Sequence, residues 1–255
     1  MRFASLGSGS EGNGLVVEAG GTCVLIDCGF GVRGTARRLA RLGLLPSSLT
    51  AILVTHEHSD HVGGVPAFAA RHGIPVWATF GTLAVVSERF EGMTHVYGFD
   101  SHDRFAIGAL EIAPIPVPHD AREPVQYVVG DGARRLGVLT DLGVSTAHVE
   151  ACLSGCDALV LECNHDLDML ENGDYPRPLK QRIGGRLGHL HNEAAADILA
   201  RIDTSRLVHI IAAHLSQQNN TPALAREAMA VALKCEPDWI GIATQSDGLD
   251  WRQIE

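Results

Sequence analysis

Short apolar runs bounded by glycine or charged residues recur along the chain and predict buried strands. We expect two or three strands within 2–27, including 22–26, and further strands at 51–54, 74–77, 136–140, 158–163, 207–212 and 239–242. Segment 94–130 is also β-rich. Its proline-containing part, 111–118, is predicted to be extended and to lie at a sheet edge, because proline cannot donate to a neighbouring strand. The glycine- and serine-rich stretch 7–14 predicts a loop whose N–H groups could bind an anion, although a plain hairpin connection explains it equally well.

Segments with helical periodicity separate these strands. We expect helices at 35–42, 62–72, 81–89, 145–153, 192–201 and 222–233. Thr35 and Asn192 are predicted as helix caps, and Gly43 and Gly73 as the residues that stop helices. Residues 167–188 show neither pattern and predict an irregular insertion.

The order of these elements predicts the fold class. Strands come first and then alternate with helices, and this sequence of elements occurs in each half of the chain. Two mixed β-sheets flanked by helices, an α/β fold of the αββα sandwich type, would bury these strands on both faces. No shift in composition resembles a linker, so we expect one domain over 1–255.

Composition narrows the functional classes. The net charge of −10 disfavours a non-specific nucleic-acid coat protein, although a local basic groove stays compatible with it. No run approaches the roughly 18 apolar residues of a membrane span. The six cysteines form no CxxC pair, and the N-terminus has no signal-peptide core. These features predict a cytoplasmic protein with reduced thiols and no membrane partner.

The densest chemistry lies directly after the apolar run 51–54. His56, His58, Asp60 and His61 form an HxHxDH pattern, and imidazole with carboxylate suits zinc, manganese or iron. On a helix His56 and His58 would diverge by about 200°, so a tight strand-to-helix loop is needed to gather them. A polar loop with chance histidines is the weaker interpretation.

Other predicted strands also end in residues that can bind a metal, namely His119, Asp141, His165 and His214. Strand ends at one edge of an open α/β sheet are where such folds place their sites. The set supports two divalent ions. One would take His56, His58 and His119, the other Asp60, His61 and His214, with Asp141 bridging them. Asp27 also ends a strand, where a lone aspartate is usually structural.

The order HxHxDH, His, Asp, His resembles the metallo-β-lactamase superfamily over essentially the whole chain. That resemblance implies an αββα sandwich with a dinuclear site at the sheet edges. The second half resembles the RNase Z branch. That branch has a segment with a glutamate, then a Gly-His segment that opens a helix, and finally a His-x-Ser segment. The same order occurs here in Glu162, Gly188-His189 and His214-Leu215-Ser216. The resemblance implies that His189 donates a proton or stabilises phosphate. Its position just before a helix agrees, because a helix N-terminus favours anions.

Further motifs resemble the bacterial YycJ/WalJ (VicX) group of metal-dependent DNA exonucleases. They are Ser-Gly-Ser-Glu-Gly-Asn at 8–13, Glu-Cys-Asn-His-Asp at 162–166, Tyr-Pro at 175–176 followed by Leu-Lys-Gln-Arg-Ile at 179–183, and His-Leu-Ser at 214–216 with Asn-Asn at 219–220. His191 departs from the serine expected in that group. The insertion carries Arg177, Lys180, Arg182 and Arg186, which could hold a phosphate backbone or form an ordinary solvated loop.

These observations predict a two-metal phosphodiesterase or nuclease, and the chain length favours DNA or short oligonucleotides over structured tRNA precursors. A hydroxide bridging the metals would attack phosphorus, and Asp60 would bind metal and orient that hydroxide. His189 would protonate the leaving oxygen, and Glu162 would orient His189. Asp27 would support the site from behind. We expect substrate contacts from Ser8, Asn13, His165, Lys180, Arg182, Arg186 and Ser216. A thioesterase, lactonase or lactamase on the same scaffold is the main alternative. A non-catalytic protein with a vestigial site is the third.

Overall fold

The first sheet holds the strands of the N-terminal half together with the last strand of the chain. The computed structural model describes residues 1–255. The sheet consists of β1 (Arg2–Gly7), β2 (Gly14–Ala19), β3 (Thr22–Ile26), β4 (Ala51–Leu53), β5 (Val76–Thr79), β6 (Val96–Phe99) and β14 (Leu249–Gln253). Its order is β14-β1-β2-β3-β4-β5-β6, antiparallel from β14 to β3 and parallel from β3 to β6.

The second sheet repeats this plan with the later strands. It consists of β7 (Phe105–Ile107), β8 (Leu110–Pro116), β9 (Val125–Gly130), β10 (Arg135–Leu139), β11 (Ala158–Glu162), β12 (His209–Ala213) and β13 (Gly241–Ile242). Its order is β13-β12-β11-β10-β9-β8-β7, antiparallel from β7 to β10 and parallel from β10 to β13. In both sheets the parallel strands therefore carry their C-terminal ends to one edge.

Helices flank the two sheets and follow their strands along the chain. They are α1 (Val32–Arg41), α2 (Ser59–Val62), α3 (Val65–His72), α4 (Phe80–Val86), α5 (Ala147–Leu153), α6 (Leu167–Asn172), α7 (Arg177–Ile183), α8 (Asn192–Arg201) and α9 (Pro222–Leu233). One apolar cluster joins strands of both sheets, a second joins the first sheet to α1 and α3, and a third joins the second sheet to α5, α8 and α9. This is the αββα sandwich with two mixed sheets, as predicted. No helix is both long enough and apolar enough to cross a membrane. The assignment of 1–255 as one domain stays a prediction.

Several predicted boundaries were wrong, for reasons that the local hydrogen bonds and packing show. The first helix begins at Val32, so Thr35 is not its cap but a buried residue whose hydroxyl donates to the Phe30 carbonyl at 3.0 Å. The predicted helix 62–72 is interrupted after Val62, because Gly64 lies against the backbone of Phe30 so closely that a Cβ there would come 1.8 Å from the Phe30 oxygen.

The later boundaries differ for similar reasons. The insertion 167–188 contains α6 and α7 and is therefore not irregular, and Asp166 caps α6 by accepting from the Met169 N–H at 2.9 Å. The cap of α8 is His191, whose Nδ1 accepts from the Ala194 N–H at 3.2 Å. Asn192 instead exchanges amide hydrogen bonds with Asn220 at 2.8 and 3.0 Å.

Two strand predictions also need correction. Strand β8 is second from the edge, because the short β7 pairs with residues 110–112. Pro114 and Pro116 lie beyond the end of β7 and pair only with β9. Their backbone nitrogens, which carry no hydrogen to donate, therefore face a side with no neighbouring strand. Strand β14 was missed altogether, since Leu249–Gln253 is short and becomes a strand by pairing with β1 at the opposite end of the chain.

Replacing the buried Tyr127 with phenylalanine should lower the free energy of unfolding by about 1–2 kcal/mol. Its hydroxyl donates to the Val54 carbonyl at 2.6 Å, in the core between the sheets, and the variant leaves that carbonyl without this donor. Tyr97→Phe is the matched control, because Tyr97 is 41% exposed and should change stability by less than about 0.5 kcal/mol. Urea unfolding of both variants measures the difference, and equal stabilities would contradict the expectation.

Candidate metal centre

The C-terminal ends of the parallel strands bring the predicted ligands to one edge of the sandwich. Strand β3 of the first sheet leads to Asp27, and β4 leads to the loop that carries His56 and His58 and then to α2, which carries Asp60 and His61. In the second sheet, β8, β10, β11 and β12 lead to His119, Asp141, His165 and His214. Except for Asp27 and His165, these side chains converge at one place between the two sheet edges.

Their ligand atoms form two groups that share a neighbour. His56, His58 and His119 form the first group, and Asp60, His61 and His214 form the second, with all ligand atoms of each group within 4.8 Å of one another. The Asp141 carboxylate lies within 4.8 Å of the ligand atoms of His56 and His61, and also of His214. The grouping that the sequence predicts is therefore geometrically available, with Asp141 between the groups.

Hydrogen bonds turn one nitrogen of each histidine away from the centre of the site. His56 Nδ1 lies 2.9 Å from the Thr55 hydroxyl, His61 Nδ1 lies 2.7 Å from Asp27 Oδ2, and His119 Nδ1 donates to the Gly188 carbonyl at 3.0 Å. In each ring Nε2 is left to face the site. Contacts of this kind fix the tautomer and orientation of metal-binding histidines.

The other two rings are held in the same manner. His58 Nε2 donates to the Asp120 carbonyl at 3.2 Å, which leaves Nδ1 free, 3.3 Å from His119 Nε2. His214 Nδ1 lies 3.1 Å from Glu162 Oε1, which leaves Nε2 free. Five histidines thus present one nitrogen each to a common space.

Three of the inward-facing atoms are buried without a hydrogen-bond partner, namely His56 Nε2, His214 Nε2 and Asp141 Oδ2. Asp141 Oδ2 lies 2.9 Å from His61 Nε2, but the contact lacks hydrogen-bond geometry. A buried polar atom without a partner costs about 1–3 kcal/mol, so three in one place need an explanation. A divalent cation fits, because imidazole nitrogens and carboxylate oxygens are its usual ligands.

The charge of the site leads to the same conclusion. Burial alone would lower the pKa of His61, but the Asp141 and Asp27 carboxylates outweigh it and raise that pKa well above its usual value. Burial also opposes protonation of His214, yet Asp141, Asp60 and Glu162 raise its pKa to about 10. The carboxylates thus hold protons on these rings. Since metal binding displaces ligand protons, divalent cations would take over this positive charge.

Asp27 contacts the segment of candidate metal ligands from behind. Its carboxylate accepts from the Thr55 N–H and the Thr55 hydroxyl, both at 2.8 Å, and contacts His61 as described. The backbone of Asp27 has a φ of 60°, a conformation that aspartate and asparagine tolerate better than most residues. Thr55 was missed at the sequence level, although its position directly before His56 was a usable signal.

Glu162 and His189 form a pair beside the two groups. Glu162 is fully buried, and its Oε1 lies 2.7 Å from His189 Nδ1. Its Oε2 accepts from the Leu142 and Leu190 N–H groups at 2.9 and 3.1 Å, so the carboxylate cannot turn away. Burial would lower the pKa of His189, but Glu162 and Asp141 raise it above its usual value. His189 keeps 20% of its side chain exposed, which leaves Nε2 as the nitrogen without a protein partner.

A cleft opens over the site, and we call it the metal cleft. It is lined by His58, Asp60, Asp141, His189 and His214, and on its outer wall by Ser10, Ser59, Asn164, Tyr175, Leu179, Arg182, Ile183 and Ser216. Helix α7 therefore forms one wall, and its Arg182 is fixed there because its Nε donates to Asp120 Oδ2 at 2.7 Å. Asp120 was another residue that the sequence analysis missed, although it directly follows His119.

The predicted substrate residues divide into those inside this cleft and those outside it. Arg182 and Ser216 line it. Ser8 and Asn13 do not, because the Ser8 hydroxyl accepts from the His214 N–H at 2.8 Å and the Asn13 amide lies 3.3 Å from Asp60 Oδ2. Their side chains join the 7–14 loop to the candidate ligands.

The remaining three lie elsewhere. Lys180 donates to the Glu171 carbonyl at 2.6 Å, and Arg186 lines a separate groove. His165 is fully buried, and burial lowers its pKa to about 4.

Comparison with known proteins shows the family that the chain resembles. A model of the beta-lactamase superfamily domain matches residues 22–210. The chain is 34% identical to the exodeoxyribonuclease YycJ of Bacillus anthracis, over 98% of this chain and 96% of that protein. It is 28% identical to the ribonuclease Z of Mycobacterium marinum, over 100% of this chain and 91% of that protein. The crystal structure of the metallo-beta-lactamase fold protein YhfI from Bacillus subtilis superposes with a TM-score of 0.77 at 15% identity, covering 99% of both chains.

Replacing Asp27 with asparagine should weaken binding of Zn²⁺ and Mn²⁺ by about 10–100-fold, the usual effect of losing a carboxylate behind a metal-binding histidine. Asparagine keeps the size of the side chain and tolerates the backbone conformation, and the change removes both the charge beside His61 and the oxygen that accepts from the Thr55 hydroxyl. Asp238→Ala, at a fully exposed position, is the control and should leave affinity unchanged. Equilibrium dialysis with metal analysis gives both affinities, and unchanged binding in D27N would contradict the role of Asp27.

Proposed function

The chain belongs to the beta-lactamase superfamily, and we propose that it is a metal-dependent nuclease that acts on DNA as an exonuclease. The observation that carries the proposal is the pair Glu162–His189, placed 2.7 Å apart beside two groups of candidate metal ligands. An exodeoxyribonuclease and a ribonuclease Z, matched over nearly the whole chain, support a phosphodiester as the substrate. We also propose that the protein is located in the cytoplasm, which agrees with its six free cysteines.

Two divalent ions, drawn from zinc, manganese and iron, would occupy the site. His56, His58 and His119 would hold the first, and Asp60, His61 and His214 the second, with Asp141 shared between them. When bound, such ions supply Lewis-acid chemistry and lower the pKa of water. The oriented histidine nitrogens and the unpartnered Asp141 oxygen support this assignment.

His189 would donate the proton that the leaving oxygen needs. Its Nδ1 is held by Glu162, so the proton available for transfer is at Nε2. The carboxylates of Glu162 and Asp141 raise the pKa of the ring and so favour its protonated form. As the oxygen of the attacking water bonds to phosphorus, the ester P–O bond breaks and the leaving oxygen takes that proton to become an alcohol, as in general acid catalysis.

Asp60 would hold its metal and also orient the attacking water. Its Oδ2 lies 3.3 Å from His61 Nε2 and 3.5 Å from His214 Nε2, and the Asn13 amide contacts the same oxygen. The side chain is 21% exposed and lines the metal cleft, so water reaches it. Asp60 therefore has both a fixed position and access to solvent.

Arg182 is the cation best placed to contact the scissile phosphate. It lines the metal cleft, and Asp120 holds its guanidinium on the side of His58. Guanidinium groups bind phosphate oxygens in a bidentate manner, which orients as well as attracts the substrate. Ser216 offers a hydroxyl on the same lining.

Replacing His189 with alanine should lower kcat by about 10²–10⁴-fold while the bound metal content stays unchanged. The ring lies outside the two proposed ligand groups; although it is within ligand distance of Asp141, Glu162 and His214, its Nδ1 is held by Glu162, so its loss should affect turnover and not metal content. His102→Ala, whose side chain is 76% exposed at the surface, is the control. Kinetics and metal analysis on the same preparations decide the matter, since loss of metal in H189A would assign the residue a different role.

Hydrolysis of bis-p-nitrophenyl phosphate should require added Zn²⁺ or Mn²⁺ and should be abolished by a chelator, whereas a thioester assayed alongside should be hydrolysed at least about 100-fold more slowly. A carbonyl hydrolase on this scaffold does not require the Glu162–His189 pair. Faster hydrolysis of the thioester would therefore favour the alternative function. Full activity after chelation would contradict any metal-dependent mechanism.

A further inference from the structure

A second groove adjoins the metal cleft, and His189 borders both. The groove is formed by loop 143–145, turn 184–186, residues 189–191 and one face of α8 with Ala194, Asp197 and Arg201. Helix α7 ends between the two spaces, because Arg182 and Ile183 line the metal cleft whereas Gly184, Gly185 and Arg186 line the groove. No role has been assigned above to this groove.

The proton transfer proposed for His189 indicates which part of the substrate would enter the second groove. The oxygen that receives a proton from Nε2 must lie within hydrogen-bond reach of that atom. The atoms attached to that oxygen belong to the leaving part of the strand, and they must extend past His189, away from the two ligand groups. The second groove is the open space that borders His189 outside the metal cleft.

The charges lining the groove leave one cation available. Arg201 is paired with Glu150 at 3.1 Å and with Asp197 at 3.3 Å, and the Nδ1 of His191 accepts from the Ala194 N–H. Arg186 makes no ion pair, its side chain donates no hydrogen bond to the protein, and it is exposed. An anion entering the groove would therefore meet the guanidinium of Arg186.

The backbone of Arg186 is fixed relative to the catalytic groups. Gly143 lies against its backbone so closely that a Cβ there would come 2.2 Å from the Arg186 oxygen. Gly143 also donates to the Pro118 carbonyl at 2.8 Å, directly before His119. Turn 184–186 is thus attached to the segments that carry Asp141 and His119, and the distance from Arg186 to the reaction centre is set by packing.

From this arrangement we infer that the second groove binds the leaving-side nucleotide of a DNA strand, and that Arg186 contacts the phosphate that follows the scissile one. This inference rests on the proposed nuclease function and extends it. Asp197 and the paired Arg201 leave the rest of the groove nearly neutral, which suits a sugar and base more than a second phosphate.

Arg186→Glu tests the inference, with Arg177→Glu as the matched control. Both arginines lie in the 167–188 insertion and are exposed, but Arg177 lines neither space. For a single-stranded oligodeoxynucleotide, R186E should raise KM by about 5–10-fold. It should also reduce the slope of log KM against log salt concentration by the amount expected for the loss of one phosphate contact. R177E should change KM by less than about 2-fold. Neither variant should change hydrolysis of bis-p-nitrophenyl phosphate, which has no following phosphate.

A second variant, Val144→Trp, narrows the groove without changing its charge and should also raise KM for the oligonucleotide alone. The inference is overturned if R186E retains the wild-type KM and salt dependence, or if it impairs bis-p-nitrophenyl phosphate to the same degree. Either result would leave the nuclease function intact. A wild-type protein that hydrolyses the small ester but no oligonucleotide would overturn the proposed function and this inference with it.

Discussion

Buried negative charge at the meeting edge of the two sheets is the constraint on which the rest of the site depends. Asp27, Asp141 and Glu162 are at most 2% exposed, and Asp60 is only partly accessible. Carboxylates removed from water are costly unless they are paired and hydrogen-bonded. Carboxylates orient the rings of His61 and His214, whereas a hydroxyl or a backbone carbonyl orients the other three rings. The need to compensate this charge therefore sets the direction of those two rings and favours cations at the site.

The architecture supplies this arrangement from two independent sheets. His61 comes from the loop after β4, whereas Asp141 follows β10, and the two side chains meet at 2.9 Å across the sandwich. The hydroxyl of Ser8, from the first sheet, likewise accepts a hydrogen bond from the backbone of His214 in the second. The candidate metal centre is thus also a joint between the sheets. Bound cations would stabilise the packing of the sandwich as well as provide its chemistry, because ligands that bind only the folded state stabilise it.

The parts of this account that the sequence predicted are those that depend on local order. The HxHxDH pattern and the residues at strand ends could be placed together, because parallel strands carry their C-terminal ends to one edge. Glu162 and His189 were paired from a resemblance, and the structure places them in contact. Their roles, and those of the ligands, stay proposals.

What the sequence could not predict depends on contacts between distant segments. His191 rather than Asn192 caps α8, because Asn192 bonds to Asn220 from another loop. Ser8 and Asn13 contact candidate ligands and not the cleft, which no local pattern encodes. Arg186 shares a basic insertion with Arg182, yet the end of α7 separates the two side chains into different spaces.

The most direct test of the central claim is the anomalous scattering of crystals grown with Zn²⁺ or Mn²⁺. The proposed two-ion site predicts two peaks about 3.5–4 Å apart. The first should lie against His56, His58 and His119, the second against Asp60, His61 and His214, with Asp141 contacting both and His189 contacting neither. A single peak, or a peak coordinated by His189, would contradict the two-ion site and the role given to His189.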